Sequence, residues 1–106
     1  MRNEYGAELD SRGYAPSIVQ DDLEHCYICG CCCEDLVRHE PFNASNRKKS
    51  KRLGLWVNLC VHDHLMCHQY PKDYGQAMKR ETQSKAMLHY GWDYDDWRER
   101  FGKSVL

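Results

Sequence analysis

The spacing of apolar residues changes along the chain and predicts where strands and helices lie. Residues 1–15 show no period, so the sequence predicts a flexible N-terminal tail over residues 1–16. Leu36 begins a short apolar run that predicts a strand ending at His39. Residues 53–60 (LGLWVNLC) place leucine or valine at every second position, which is the period of a half-buried strand.

Three helices are predicted after the second strand. The first begins at residue 61 and ends or kinks at Pro71, because proline lacks the N–H group that a helix interior needs. The second spans about residues 72–90, with Gly91 as its C-terminal stop. The last is capped by Asp93 and is expected to carry three aromatic residues on one face, which are Tyr94, Trp97 and Phe101.

The polar segment between the two strands carries a strong local positive charge. Residues 41–52 (PFNASNRKKSKR) predict a loop. Residues 38–52 hold six basic and one acidic side chain, a formal sum of +5, although the whole chain has a net charge of −1. Such a segment can bind anions such as the phosphates of DNA. The candidate nucleic-acid-binding residues are Arg47, Lys48, Lys49, Lys51 and Arg52.

Length and cysteine usage narrow the class of protein. At 106 residues the chain is one small domain, a size that often needs a stabilising metal or disulfide. No signal-like segment follows Met1, and no apolar run approaches the roughly 20 residues of a membrane span. We therefore expect a cytoplasmic protein without membrane contact. Its 7 cysteines should stay reduced and favour metal binding over disulfides.

The cysteine spacing is typical of a zinc site. Cys26 and Cys29 form a CxxC pair followed by glycine, and Cys60 lies where the second strand meets the first helix. This pattern looks like the ligand set of a treble-clef zinc site, in which the fourth ligand lies within the next helical turn. Asp63 and His64 are both candidates for that ligand.

The remaining cysteines contribute less to this interpretation. Cys67 is an alternative zinc ligand, three residues after the second candidate on the helix. Residues 31–33 are three consecutive cysteines, whose side chains diverge, so at most one could reach the same ion. We expect these three to be packing residues or merely tolerated thiols.

Histidines and an asparagine follow the same elements in a recognisable order. His39 ends the first strand, Asn58 lies on the second, and His64 and His68 lie one turn apart on the helix. This order, framed by the cysteines, and the stretch RHEPFNASNRKKSKRLGLWVNLCVHDH resemble the phage and prophage HNH-like endonucleases of the ββα-metal class. The resemblance covers about residues 17–106 and is densest from Cys26 to His68.

The resemblance implies a small α+β fold, with a zinc-stabilised treble-clef hairpin and helix and two additional C-terminal helices. The domain would span residues 17–106, with the helical extension over about residues 72–106. It implies a phage- or prophage-encoded endonuclease that cleaves or nicks DNA by phosphodiester hydrolysis in the bacterial cytoplasm. Besides structural Zn²⁺, it would use a divalent cation such as Mg²⁺, Mn²⁺, Ni²⁺ or Zn²⁺. The alternatives are a catalytically silent zinc module that binds DNA or a partner protein, and a purely structural zinc protein.

The resemblance also implies roles for single residues. Asn58 would hold the catalytic loop, His64 would bind the catalytic metal, and His68 would be an additional ligand. Either Glu40 is the general base and His39 a metal ligand, or His39 is itself the base. If His64 completes the zinc site, it cannot also hold the catalytic metal.

Overall fold

The computed structural model describes residues 1–32 and 34–106, so Cys33 lies outside the described residues. It combines a two-stranded antiparallel sheet with four α-helices, which confirms a small mixed α+β fold. A 3₁₀ turn (Ala44–Asn46) precedes the first helix, and a π-helical turn (Pro71–Gly75) precedes the third. The elements are β1 (Val37–His39), α1 (Arg47–Leu53), β2 (Val57–Leu59), α2 (Val61–Gln69), α3 (Gln76–Tyr90) and α4 (Tyr94–Phe101). None of the helices in the described ranges is long and apolar enough to cross a membrane.

The sheet register decides which side chains share a face. Arg38 lies opposite Asn58, and His39 lies opposite Val57. Directly opposed residues of an antiparallel pair point to the same face, and neighbours along a strand point to opposite faces. His39 therefore shares the face of the fully buried Val57, whereas Arg38 and Asn58 lie on the other face.

The predicted loop over residues 41–52 is wrong for its second half, which forms α1. Lysine and arginine are good helix formers, and the left-handed Gly54 (φ 76°) ends the helix. Ser50 anchors the buried side of α1 by donating a hydrogen bond to the carbonyl oxygen of Phe42 at 2.5 Å. The second strand is shorter than predicted. Residues 53–56 contain the end of α1 and the turn at Gly54, and β2 begins only at Val57.

The predicted helix after the second strand is confirmed, and α2 ends at Gln69 before Pro71. The next helix begins at Gln76, later than predicted, because the π-helical turn comes between them. Its end is confirmed, since Gly91 adopts a left-handed conformation (φ 69°).

Asp93 caps α4 as predicted, through a reciprocal capping box with Asp96. Trp97 and Phe101 of α4 are buried, but Tyr94 is 49% exposed, so the predicted aromatic face holds for two of its three residues.

Two hydrophobic clusters support these elements. The first joins the cysteine segment to the sheet, α2 and α3, and contains Val19, Cys26, Val57, Leu59, Cys60, Cys67 and Met78. The second joins α1, α3 and α4, and contains Phe42, Leu53, Leu55, Ala86, Trp92, Trp97 and Phe101. Cys31 packs against the first cluster and is disulfide-bonded, so the expectation of reduced cysteines is wrong for this residue, whereas Cys32 is free and exposed.

Residues 1–16, which the sequence predicts as a flexible tail, lie packed against the domain. Asn3 is 6% exposed, and its Nδ2 donates a hydrogen bond to the carbonyl oxygen of Arg52 at 2.6 Å. The indole Nε1 of Trp56 donates to the carbonyl oxygen of Ala15 at 2.8 Å. These contacts depend on single residues rather than on a repeating apolar face. The sequence of the segment therefore has no periodicity from which they could be predicted.

The turn at Gly54 depends on the close approach of this N-terminal segment. An added Cβ at Gly54 would overlap the carbonyl oxygen of Pro16, whereas at Gly91 it would meet nothing within 4 Å. Left-handed strain alone costs about 1–2 kcal/mol, which is the loss of stability we expect for Gly91→Ala. Gly54→Ala should cost about 1–3 kcal/mol more because of the overlap. Urea unfolding of both variants measures the difference, and equal losses would contradict the close packing of residues 1–16.

Candidate metal centres

Three cysteines and one aspartate converge where β2 meets α2. Cys26 and Cys29 come from the CxxC turn, while Cys60 is the N-cap of α2 and Asp63 lies in its first turn. Their ligand atoms all lie within 4.8 Å of one another. Oδ2 of Asp63 lies 3.2 Å from Sγ of Cys26 and 3.3 Å from Sγ of Cys60. Three sulfurs and one carboxylate oxygen at this spacing could bind a metal such as zinc.

Local hydrogen bonds hold the CxxC turn in place. The N–H of Gly30 donates to the carbonyl oxygen of Cys26 at 2.9 Å, and Gly30 adopts the positive φ (74°) that a tight turn requires. The N–H of Tyr27 donates to the carbonyl oxygen of Asn58 on β2 at 2.9 Å. The turn is thereby fixed to the strand that leads into Cys60.

The electrostatics of this group suit a cation. The backbone N–H of Cys31 favours the Cys29 thiolate, but hydrogen bonding with Asp63 and the other thiols raises the pKa of Cys29 to about 12. Burial opposes ionisation of Asp63, yet hydrogen bonds from the three thiols outweigh it and lower the pKa of Asp63. A lowered pKa of Asp63 beside the raised pKa of Cys29 is the arrangement in which metal binding would displace a thiol proton. The donor set therefore fits Zn²⁺.

Three histidines form a second group beside the first. His39 lies at the end of β1, and His64 and His68 lie one turn apart on α2, with their Nε2 atoms 3.2 Å apart. The His39 ring is edge-on to both, with ring centroids 5.3 Å and 5.8 Å away. One ring nitrogen from each histidine falls within 4.8 Å of the others, so the group could bind a divalent cation.

The surroundings favour the neutral form of His39 and of His64. Burial and the neighbouring His64 and His68 lower the pKa of His39 to about 4. Burial and His68 also lower the pKa of His64. Neutral imidazole is the form that binds a metal or accepts a proton.

The direction of α2 separates the two candidates for the fourth zinc ligand. Successive residues of an α-helix point about 100° apart. Asp63 is buried among the cysteines, and His64 faces the other histidines. The structure thus brings Asp63, not His64, to the cysteines. The alternative ligand Cys67 is buried instead beside a small cavity of about 200 Å³ that His39 and His68 also line.

Glu40 follows His39 but is engaged elsewhere. Its Oε1 accepts hydrogen bonds from the hydroxyl of Tyr14 at 2.8 Å and from Nε of Arg47 at 3.0 Å. The side chain is buried, with 7% of the residue exposed. Both hydrogen bonds are made to the same oxygen, so Oε1 of Glu40 is already occupied by protein donors.

Asn58 lies apart from the histidines, on the opposite face of the sheet. Its Nδ2 donates to the carbonyl oxygen of Leu23 at 3.0 Å, and its backbone N–H donates to Oε1 of Gln20 at 2.8 Å. In the structure Asn58 therefore organises the segment that leads into the CxxC turn.

A cavity of about 620 Å³ opens over the histidine group. Its polar lining residues are the three histidines, Glu40, Asn43, Arg38 and Arg47. Sequence reasoning did not single out Arg38, Asn43 or Tyr14. Arg38 could have been noticed as the basic neighbour of His39, but no sequence signal links Tyr14 to Glu40.

The basic residues predicted to contact DNA lie on α1 rather than on a loop. Nζ of Lys49 donates to the carbonyl oxygen of Arg100 at 2.6 Å, and Arg52 pairs with Glu4 at 3.1 Å. The ion pair of Arg52 with Glu4 is exposed and therefore weak, so a phosphate could replace it. The set comprises Arg47, Lys48, Lys49, Lys51 and Arg52.

Comparisons with protein-family models, with curated proteins and with solved structures found no match to this chain. The site is therefore described by the residues of this chain alone. They form a cysteine–aspartate group that could hold zinc, and a histidine group at an arginine-lined cavity that could hold a second divalent cation.

Proposed function

We propose that the protein is a metal-dependent endonuclease that hydrolyses phosphodiester bonds in DNA. The observation that carries this proposal is the group of three histidines in a cavity that two arginines also line. The histidines would hold a divalent cation there, which would supply positive charge to stabilise the transition state of phosphodiester hydrolysis. The arginines hold the phosphate, and the histidines provide ligands and a proton acceptor.

Within this proposal, the cysteine–aspartate group is a structural zinc site of treble-clef type. Cys26, Cys29, Cys60 and Asp63 would hold the ion at the start of α2. Because His64 directly follows Asp63, fixing this end of α2 also fixes His64 next to His39. The zinc site would then affect catalysis by fixing the position of His64.

The proposal assigns the proton acceptor to His39 and the ligands to His64 and His68. Nε2 of His64 and Nε2 of His68 are 3.2 Å apart, which suits two ligands of one ion. Glu40 is the weaker candidate for the base, since its Oε1 already accepts from Tyr14 and Arg47. His39 lines the cavity where the phosphate would bind.

A plasmid-nicking assay tests the proposed activity. Supercoiled DNA is incubated with the protein and Mg²⁺, Mn²⁺, Ni²⁺ or Zn²⁺, and nicked or linear product is expected with at least one of them. Single-stranded DNA is tested in parallel.

The second candidate function is a catalytically silent zinc module that binds DNA or a partner protein. The hydrogen bonds that Glu40 accepts from Tyr14 and Arg47 favour this function, because they leave Glu40 less able to act as a general base or a metal ligand.

Either candidate predicts that α1 contributes to DNA binding. Replacing Lys48, Lys49 and Lys51 together with alanine should weaken binding by a similar factor across unrelated DNA sequences. The salt dependence should flatten by about one unit of slope for each phosphate that the variant no longer neutralises. Fluorescence anisotropy at several salt concentrations measures both effects. The charge-matched control replaces three exposed basic residues outside α1, namely Lys72, Arg80 and Lys103. Equal effects in the two triple variants would show that α1 makes no specific contribution.

A further inference from the structure

We infer that Arg38 and Arg47 form a phosphate-binding clamp in the histidine cavity. The inference rests on the proposed function and specifies how the DNA backbone is held there. Both arginines are among the residues that line the same cavity of about 620 Å³ as His39, His64 and His68. The clamp is separate from the lysines of α1, of which none lines this cavity among the described residues.

Arg38 is held in place by two aromatic rings. Its guanidinium carbon lies 4.3 Å from the ring centroid of Tyr14 and 4.1 Å from that of Trp56. Stacking on aromatic faces orients the guanidinium plane before any ligand binds. NH1 of Arg38 also donates to Oδ2 of Asp10 at 3.3 Å, an exposed pair that a phosphate could replace.

Arg47 is held by its contact with Glu40. Nε of Arg47 donates to Oε1 of Glu40 at 3.0 Å, which engages one of the five N–H donors of the guanidinium group. The Arg47 side chain is nevertheless 61% exposed. Tyr14 connects the two halves of the clamp, because its ring contacts Arg38 and its hydroxyl donates to Glu40.

The charges in the cavity favour a singly charged anion. Apart from the histidines, the charged residues that line the cavity are two arginines and Glu40, a formal sum of +1. A phosphodiester carries one negative charge, and its two free oxygens match the fork of N–H donors on arginine. A DNA phosphate is therefore the ligand that both the charge and the geometry suit.

The test measures binding of a 20-base-pair duplex without added divalent cation, so that cleavage does not interfere. Arg38→Gln and Arg47→Gln should each weaken binding by about tenfold or more, the effect of losing a charge-assisted hydrogen bond. Each should lower the salt slope by about 1. The matched control is Arg98→Gln, which also removes an exposed guanidinium paired with a carboxylate, that of Asp95, and should change affinity less than about twofold.

Circular dichroism establishes that each variant is folded, and Arg38→Lys replaces Arg38→Gln if the latter unfolds. The lysine keeps the charge and loses the fork, so a reduced affinity is still expected. Affinities of both arginine variants within twofold of wild type would overturn the clamp, even if the wild type cleaves DNA. Wild-type protein that binds DNA without cleaving it would overturn the proposed activity. The clamp would then be supported or overturned by the affinities of the two arginine variants alone. Wild-type protein that binds no DNA would overturn both.

Discussion

Removal of zinc is expected to unfold the protein. Purified protein should hold one Zn²⁺ at the cysteine–aspartate group, and a strong chelator should abolish its helical circular dichroism. Structural zinc contributes on the order of 10–16 kcal/mol to folding in zinc-finger peptides, which rivals the roughly 5–15 kcal/mol stability of a whole domain. Cys26 and Cys60 belong to the first hydrophobic cluster, so loss of the metal exposes part of the core.

A pair of neighbouring variants tests which residue completes this zinc site. Asp63→Ala should lower both zinc affinity and melting temperature, because Asp63 lies among the cysteines. His64→Ala should retain the structural zinc and the fold, since His64 faces the histidine group. The measurements are metal analysis and thermal unfolding with and without chelator. Intact wild-type fold with far less than one zinc per chain would contradict the site, and loss of the structural zinc in His64→Ala would contradict the assignment to Asp63.

His39→Ala is expected to abolish DNA cleavage while the protein stays folded. General base catalysis contributes about 10²–10⁴-fold to a rate, and loss of a metal ligand would cost at least as much. Nicking rates with the most effective of the four cations measure this loss. His89→Ala is the matched control, because His89 is exposed on α3, outside the histidine group.

Glu40→Gln distinguishes the two candidates for the base. We expect only a small loss of cleavage, because Tyr14 and Arg47 already engage Oε1 of Glu40. A large loss with unchanged metal affinity would instead make Glu40 the base and His39 a ligand. If the wild-type protein cleaves neither single- nor double-stranded DNA with any of the four cations, the silent-module function should replace the endonuclease proposal.

Features that depend on near neighbours in the chain were predictable. Pro71 ends α2, Gly91 ends α3 and Asp93 caps α4 because a cap or a helix stop needs only a few adjacent residues. The CxxC turn is local in the same sense, and Cys60 could be placed because it starts a recognisable helix. The error at α1 has a local cause as well. The run of lysines and arginines is polar enough for a loop and also favours a helix, so polarity alone could not decide between them.

The contacts between distant segments were decided only by the tertiary structure. Asp63 and His64 are adjacent on one helix, and the sequence left either of them as the zinc ligand. The packing of α2 between the CxxC turn and β1 turns Asp63 toward the cysteines and His64 toward His39. Tyr14 meets Glu40 from 26 residues away because residues 1–16 fold back over the sheet. Sequence patterns report local conformation, whereas the orientation of a helix and the partner of a buried carboxylate depend on how all the elements pack together.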